Sequence, residues 1–426
     1  MEFTTIKGFK DILPEEVVNW QVIESKSRSL FASFGFQEIK TPLMEKNKIF
    51  SRSIGEDTDI VSKEMYSLKD SKGHLLTLRP EATASVVRAY IQHRLYENYP
   101  VQKLFSIGPM FRHERPQKGR FRQFYQINAE MFGDPGPKSD AETIALAIYL
   151  FESLGLEELR LHINSLGCVE CRPRFREKLN RYLIDKRDLL CTDCRRRSET
   201  NPLRVFDCKL ETCKRVVSDA PSVMDFLCKP CRDHFESLQA YLKSLGIAFI
   251  LNHRLVRGLD YYTRTTFEIQ TDRLGAQNAV AGGGRYDGLV KLLGGPDHPA
   301  IGFAIGVERL VSLLLEDGGS KRRKPDLFIA ALSEKSQDTC FTWAHSLRKS
   351  GMWVEMDYGL KGLKAQMKKA GRLGAKRVLI VGEDELTSGK GILRDMEAKS
   401  QEEVGLDNIV ADLNNLNTIK DNNGTE

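Results

Sequence analysis

FRHERPQKGRFRQFYQINAEM, residues 111–131, joins a cationic turn to an alternating strand. Five cations (Arg112, Arg115, Lys118, Arg120 and Arg122) fall within 11 residues, around Pro116 and Gly119. Strand-like segments flank the turn, which predicts a hairpin whose loop presents guanidinium groups. Such a loop suits polyphosphate, because arginine pairs bidentately with phosphate oxygens and stays charged at any working pH. A solvated basic loop is the plain alternative. The strand that follows favours a site. Gln126 and Glu130 recur on one face of Gln123–Met131, and they are too polar for a core face unless that face lines a site.

Outward from this hairpin, Pro14–Phe34 reads as a helix, with proline and two acids in its first turn. Phe36–Pro42 alternates like a strand, and Met65–Leu78 and Lys103–Phe132 are strand-rich. Glu81–Tyr96, after Pro80, is helical in pattern. Strand patterning resumes at Phe249–Asn252, Thr265–Thr271 and Ala279–Gly284. Two further clusters carry chemistry. In LVRGLDYYTRTTF, residues 255–267, Arg257 stands beside Gly258 and paired tyrosines. GGGRYDG (282–288) and GFAIGVER (302–309) end on Arg309, in the first turns of a helix, where it can lie over a planar base. The glycine runs match neither a Walker loop nor a dinucleotide fingerprint.

The chain has 426 residues, enough for two or three domains. With 41% apolar and 29% charged residues it is an ordinary globular sequence, not a disordered one. The net charge of +6 is compatible with an anionic partner but does not establish one. No apolar run approaches the roughly 18–20 residues of a bilayer span, and the N-terminus lacks a signal-peptide core, which predicts a cytoplasmic protein. GGSKRRKP, residues 318–325, reads as a linker, placing one domain at residues 1–324 and a second at 325–426. In the second, β and α patterns alternate from Leu327 to Gly382 in the manner of a small open sheet with a parallel component. Its last dozen residues read as a frayed tail.

Eight of the nine cysteines crowd into 64 residues: Cys168, Cys171, Cys191, Cys194, Cys208, Cys213, Cys228 and Cys231. The stretch looks like an inserted, mostly helical module at about 168–232. Residues 172–232 carry 16 Lys/Arg against 9 Asp/Glu, so the chain's basic surplus is concentrated there. In a reducing compartment, clustered CxxC pairs read as metal ligands, and eight thiols suffice for two structural zinc sites. Free cysteines packed among helices are the competing reading. For the basic surplus, contact with a nucleic-acid backbone competes with a merely solvated surface.

Taken together, these residues resemble the bacterial histidyl-tRNA synthetases, within the class II aminoacyl-tRNA synthetases. The segment ending at Pro42, the hairpin FRHERPQKGRFRQF and GFAIGVERL match the three class-wide motifs in order. LRPEATAS (78–85) and LVRGLDYYTRTTFE (255–268) resemble the histidine-specific signatures. LKAQMKKAGRLGAKRVLIVGEDE resembles the family's anticodon-binding domain, and the likeness spans roughly residues 3–400. It implies an α+β fold, with a six- or seven-stranded antiparallel sheet flanked by helices, the Cys-rich insertion and a C-terminal α/β domain. By resemblance, Arg112 holds the ATP α-phosphate, and Phe124 and Arg309 sandwich the adenine. Glu81, Thr83 and Gln126 surround the histidine α-amino group. Glu130 and Tyr262 take the imidazole, with Tyr261 beside them, and Arg257 neutralises the reacting carboxylate and phosphate. ATP with Mg²⁺, L-histidine, tRNA(His) and a homodimer follow as partners. The likeness leaves the zinc question open. The rival is a catalytically inactive regulatory or RNA-binding relative, a type that tends to lose the anticodon domain or the arginines matching Arg112, Arg257 and Arg309.

Overall fold

The computed structural model describes residues 3–56, 58–116, 119–274, 278–320 and 322–421, with side chains to residue 416. The chain divides into two compact units, Met1–Ser320 and Lys321–Glu426. Among the described residues the first unit carries β1 (Gln37–Glu38), β2 (Met44–Lys46), β3 (Ser67–Lys69), β4 (Leu75–Leu78), β5 (Gln102–Phe111), β6 (Gln123–Phe132), β7 (Arg160–Ser165), β8 (Ile250–Leu251), β9 (Thr263–Gln270), β10 (Ala279–Arg285) and β11 (Ala300–Gly306).

Its main sheet has eight strands in the order β1-β5-β6-β11-β10-β9-β7-β8. The six inner strands are antiparallel, as the class resemblance implies. The count exceeds six or seven because a two-residue strand, parallel to its neighbour, is added at each edge. Strand β1 occupies only part of the alternating stretch 36–42. β5 and β6 pair over ten residues, from Gln102↔Phe132 to Phe111↔Gln123, so the cationic turn is a true hairpin tip. The alternation in β6 divides two environments. Ile127, Ala129 and Met131 enter the apolar layer with Trp20, Ile23 and Phe31 of helix Pro14–Ser33 and with Ile144 and Leu146 of helix Pro137–Ser153. Gln126, Asn128 and Glu130 face the other way, onto the site. A small antiparallel sheet, β2-β4-β3, stands apart.

The Cys-rich module intervenes between β7 and β8. Four helices (Cys171–Asp185, Thr192–Thr200, Glu211–Ser218 and Lys229–Ser244) surround a core of its own containing Phe175, Leu179, Val205 and Leu227. The second unit contains β12 (Leu327–Ala331), β13 (Val354–Met356), β14 (Arg377–Val381), β15 (Lys390–Asp395) and β16 (Gln401–Gly405), in the order β13-β12-β14-β15-β16. The first three are parallel and the last two antiparallel. β16 is largely solvent-exposed and lacks the apolar alternation that marks a strand in sequence. Helix Ile409–Asp421, anchored by buried Ile409 and Leu413, takes in residues 415–421 of the segment expected to fray, and the rest of that segment lies outside the described residues.

Candidate active site

The site face of the main sheet is cut low by glycines. In the antiparallel registers Glu130 lies opposite Gly302, Gly302 opposite Gly284, and Gly282 opposite Glu268. Directly opposed residues share a face. A Cβ on Gly302 would stand 1.7 Å from Glu130 Oε2, and one on Gly282 would stand 2.4 Å from Arg257 Nη1. Glycine is a poor strand former. Here its lack of a side chain is what admits Glu130 and Arg257 over the sheet.

Arginines from three elements converge on a cleft of about 250 Å³ above these glycines. The hairpin tip supplies Arg112 and Arg120, the segment before β9 supplies Arg257, and helix Val307–Glu316 supplies Arg309. Phe124 and Gln126 line the same cleft. Arg112 Nε donates to Pro80 O at 2.8 Å, and its guanidinium lies 5.3 Å from the Phe124 ring centre. Arg257 Nη1 donates to Glu268 Oε2 at 2.6 Å, while its Nε and the Gln126 Oε1 are buried without a hydrogen-bond partner among the described residues. Buried polar atoms are seldom left unpaired, so these two suit a bound polar ligand. Of the other loop cations, Arg115 is exposed and Arg122 donates to the Glu114 carbonyl at 3.3 Å. Lys118 and Gln117 lie outside the described residues.

Beside the cleft is a buried cluster of polar side chains. Glu130 Oε1 accepts from Thr83 Oγ1 at 2.6 Å, and Oε2 accepts from the Tyr286 hydroxyl. Glu81 accepts from the N–H groups of Thr83 and Ala84 at 2.7 and 2.9 Å, capping helix Thr83–Gln92. Tyr261 packs 4.7 Å from Tyr262 and 5.6 Å from Tyr286 between ring centres, and the Arg257 guanidinium lies 5.9 Å from the Tyr262 ring. Burial, reinforced by Glu81, pushes the Glu130 carboxyl up to about 8, against the two hydrogen bonds that favour its ionised form. Burial also raises Glu81. Glu130 is therefore largely protonated at neutral pH, ready to ionise opposite a cationic or N–H-donating ligand.

Three residues of this site escape sequence reasoning. Tyr286 lies 156 residues from Glu130, and its GGGRYDG context draws attention to the glycines alone. Glu268 and Glu308 each read as an ordinary acid in its own element. In the fold Glu268 holds Arg257, and both Glu308 oxygens accept from the Tyr125 N–H, at 2.9 and 3.1 Å. Burial pushes the Glu308 carboxyl up to about 7.

The eight insertion cysteines sort into two groups of four, Cys168/Cys171/Cys228/Cys231 and Cys191/Cys194/Cys208/Cys213. Within each group the four sulfurs lie within 4.8 Å of one another. Burial and neighbouring thiols push Cys194 and Cys231 upward. Cys168 is opposed by burial but lowered to about 7 by the N–H groups of Cys171 and Glu170. Four thiolates at this spacing ionise together only around a cation. The donor set therefore fits a thiophilic metal, with all four corners supplied by protein.

The family model described as "Histidyl-tRNA synthetase" matches residues 8–310, and "Anticodon binding domain" matches 326–416. The chain is 56% identical over 405 residues to the histidine--tRNA ligase of Desulfosudis oleivorans, covering 95% of this chain and 96% of that one. It is 53% identical over 403 residues to that of Geobacter sulfurreducens, covering 95% and 97%. Its fold is similar to the apo histidyl-tRNA synthetase of S. aureus, with a TM-score of 0.82 and 35% identity over 97% of this chain and 100% of that one.

Proposed function

Because the chain belongs to the histidyl-tRNA synthetase family, we propose that it activates L-histidine with ATP and passes the amino acid from the adenylate to the 3′ end of tRNA(His). The observation that carries this reading is the adjacency of an arginine-lined cleft and a buried pocket of Thr83, Glu130 and Tyr286, built on one glycine-cut sheet. The presence of Arg112, Arg257 and Arg309 in one cleft, together with an anticodon-binding domain, leaves the inactive-relative reading without support.

In the proposed reaction the histidine carboxylate attacks the ATP α-phosphorus. A carboxyl O–P bond forms, the bond to the bridging oxygen breaks, and pyrophosphate leaves with the electron pair. The nucleophile is already an anion, so no general base is required. Arg112 and Arg257 hold the α-phosphate oxygens and offset charge as it moves, work that is mostly positioning and electrostatics. Phe124 and Arg309 take the adenine between a ring and a guanidinium. Glu130, fixed by Thr83 and Tyr286, meets one nitrogen of the imidazole and Tyr262 the other, with Tyr261 against them. Glu81 and Gln126, with Thr83, face the ammonium. A pocket built for polar contacts rejects analogues that lack them. Glu114 and Glu268, carboxylates of the cleft lining that already pair with its arginines, would hold a hard, oxygen-ligated cation such as Mg²⁺, which would supply charge neutralisation for the departing pyrophosphate.

The two thiol groups are assigned to two structural Zn²⁺ ions, a reading supported by their closed four-sulfur geometry. A homodimer is supported by the family and by the apolar residues Leu43, Met44, Leu68 and Leu75, exposed on and beside the small sheet. Among the described residues no helix is long and apolar enough to cross a membrane, and we assign the enzyme to the cytoplasm, where its tRNA partner is.

Histidine-dependent ATP–pyrophosphate exchange tests the reading. Exchange with L-histidine alone among amino acids, falling at least about 10²-fold in Arg257→Ala, is the expected result. A folded, exchange-silent parent chain would overturn it.

A further inference from the structure

The segment that carries Arg257, Tyr261 and Tyr262 has no regular secondary structure of its own between Val256 and Tyr262. Its backbone is held from outside, and the Cys-rich module supplies much of the holding. Arg204 Nη2 donates to Gly258 O at 2.7 Å and to Asp260 Oδ1 at 3.2 Å. Asn201 Nδ2 donates to the same Asp260 oxygen at 3.1 Å. Arg172 Nη2 donates to Tyr262 O. The Arg204 side chain is only 15% exposed, so this is a seated contact and not a surface ion pair.

Each of these residues lies next to, or in a loop closed by, one of the thiol groups. Asn201 and Arg204 lie in the 13-residue stretch between Cys194 and Cys208, whose two ends belong to one four-sulfur group. Arg172 follows Cys171 directly, and Gly167, which precedes Cys168, accepts from the Arg264 N–H at 3.0 Å at the start of β9. A cation in each group would close the 194–208 loop and pin the module's two chain ends, removing most of the freedom that the arginines would otherwise have.

We propose that the two metal sites act as a clamp on the histidine side of the active site, with Arg172 and Arg204 as positioning residues that hold the Arg257–Tyr262 segment in its binding-competent conformation. This rests on the zinc assignment above. A segment competent for only a fraction of the time binds its ligand more weakly by that fraction. The adenine contacts, Phe124 of β6 and Arg309 of the Val307–Glu316 helix, lie outside the clamped segment, and of the ATP contacts only that of Arg257 with the α-phosphate belongs to it. Releasing the clamp should therefore weaken histidine, which meets Arg257, Tyr261 and Tyr262 together, far more than ATP.

The test uses full-length, metal-analysed protein, with KM for histidine and for ATP read separately in pyrophosphate exchange. Arg204→Ala is expected to keep two zinc ions per chain and raise the KM for histidine about tenfold, with the KM for ATP within about twofold. Cys194→Ser with Cys208→Ser should remove one zinc and produce the same selective rise. If the cysteine variant fails to fold, Asn201→Ala, which retains both thiol groups, should show a smaller rise of the same kind. Two zinc ions with an unchanged histidine KM in Arg204→Ala overturn the clamp and leave the zinc assignment standing. A parent chain with no zinc overturns the metal reading, and the clamp with it.

Discussion

Gly302 is the residue on which the amino-acid pocket turns. Any side chain there meets Glu130 Oε2 and the Ala129 carbonyl, the latter 2.6 Å from a Cβ, and a backbone carbonyl in a central strand cannot move aside. Gly302→Ala should cost about 1–3 kcal/mol of stability, seen as a lower urea midpoint, and raise the KM for histidine far more than that for ATP. Glu130 itself makes a pH prediction. Its folded carboxyl titrates near 8 and the unfolded one near 4.5, so between these values the folded state holds a proton that the unfolded state has released. Stability therefore falls as pH rises through that window. Urea midpoints measured from pH 5 to 8.5 should decline in the parent and decline less in Glu130→Gln. An equal slope in both proteins would falsify the assignment. The polar alternation of Gln126 and Glu130 was legible in sequence, because a two-residue period needs only one strand to be seen. Tyr286 was not, because its contact is made across the sheet.

At the scale of elements, a fully buried ionic knot joins β10 to two helices. Arg285 and Asp140 are each without exposed side-chain surface. Arg285 Nε donates to Asp140 Oδ1 at 3.0 Å, and His234, on the helix that begins directly after Cys228, is 2.8 Å from Asp140 Oδ2. Breaking such a pair leaves the buried Arg285 guanidinium with only the partly exposed Asp287, 3.0 Å from its Nη1, as a counter-charge. Asp140→Asn should cost about 3–5 kcal/mol, measured by chemical unfolding, and displace Tyr286, the next residue along from Arg285. The helix Pro14–Ser33, with proline in its first turn, announces itself locally. β15 and β16 do not. β16 is the exposed edge strand and carries little apolar pattern, while β15 buries only Gly391 and Leu393 of its six residues.

For the whole molecule, the boundary between the two units falls at Ser320/Lys321, where four basic residues run in succession from Lys321 to Lys324. We assign adenylate formation to the first unit and recognition of the tRNA anticodon to the second. Trypsin should cut this run first. The resulting N-terminal fragment, ending at Lys321, Arg322 or Arg323, should retain histidine-dependent pyrophosphate exchange within about tenfold, while tRNA charging, followed with labelled histidine, falls by at least about 10²-fold. Exchange and charging lost in equal measure would overturn the division. The sequence by itself determined the domain class, the cationic hairpin, the arginines of the cleft and the eight thiols, since each is a local pattern of residue type and spacing. Only the tertiary structure decided which cysteines group together, why glycines occupy strand positions, and that Tyr286, Glu268 and Arg204 bear on the site. Those relations are set by register across strands and by packing between segments tens to more than a hundred residues apart, where local periodicity carries no information about which chain meets which.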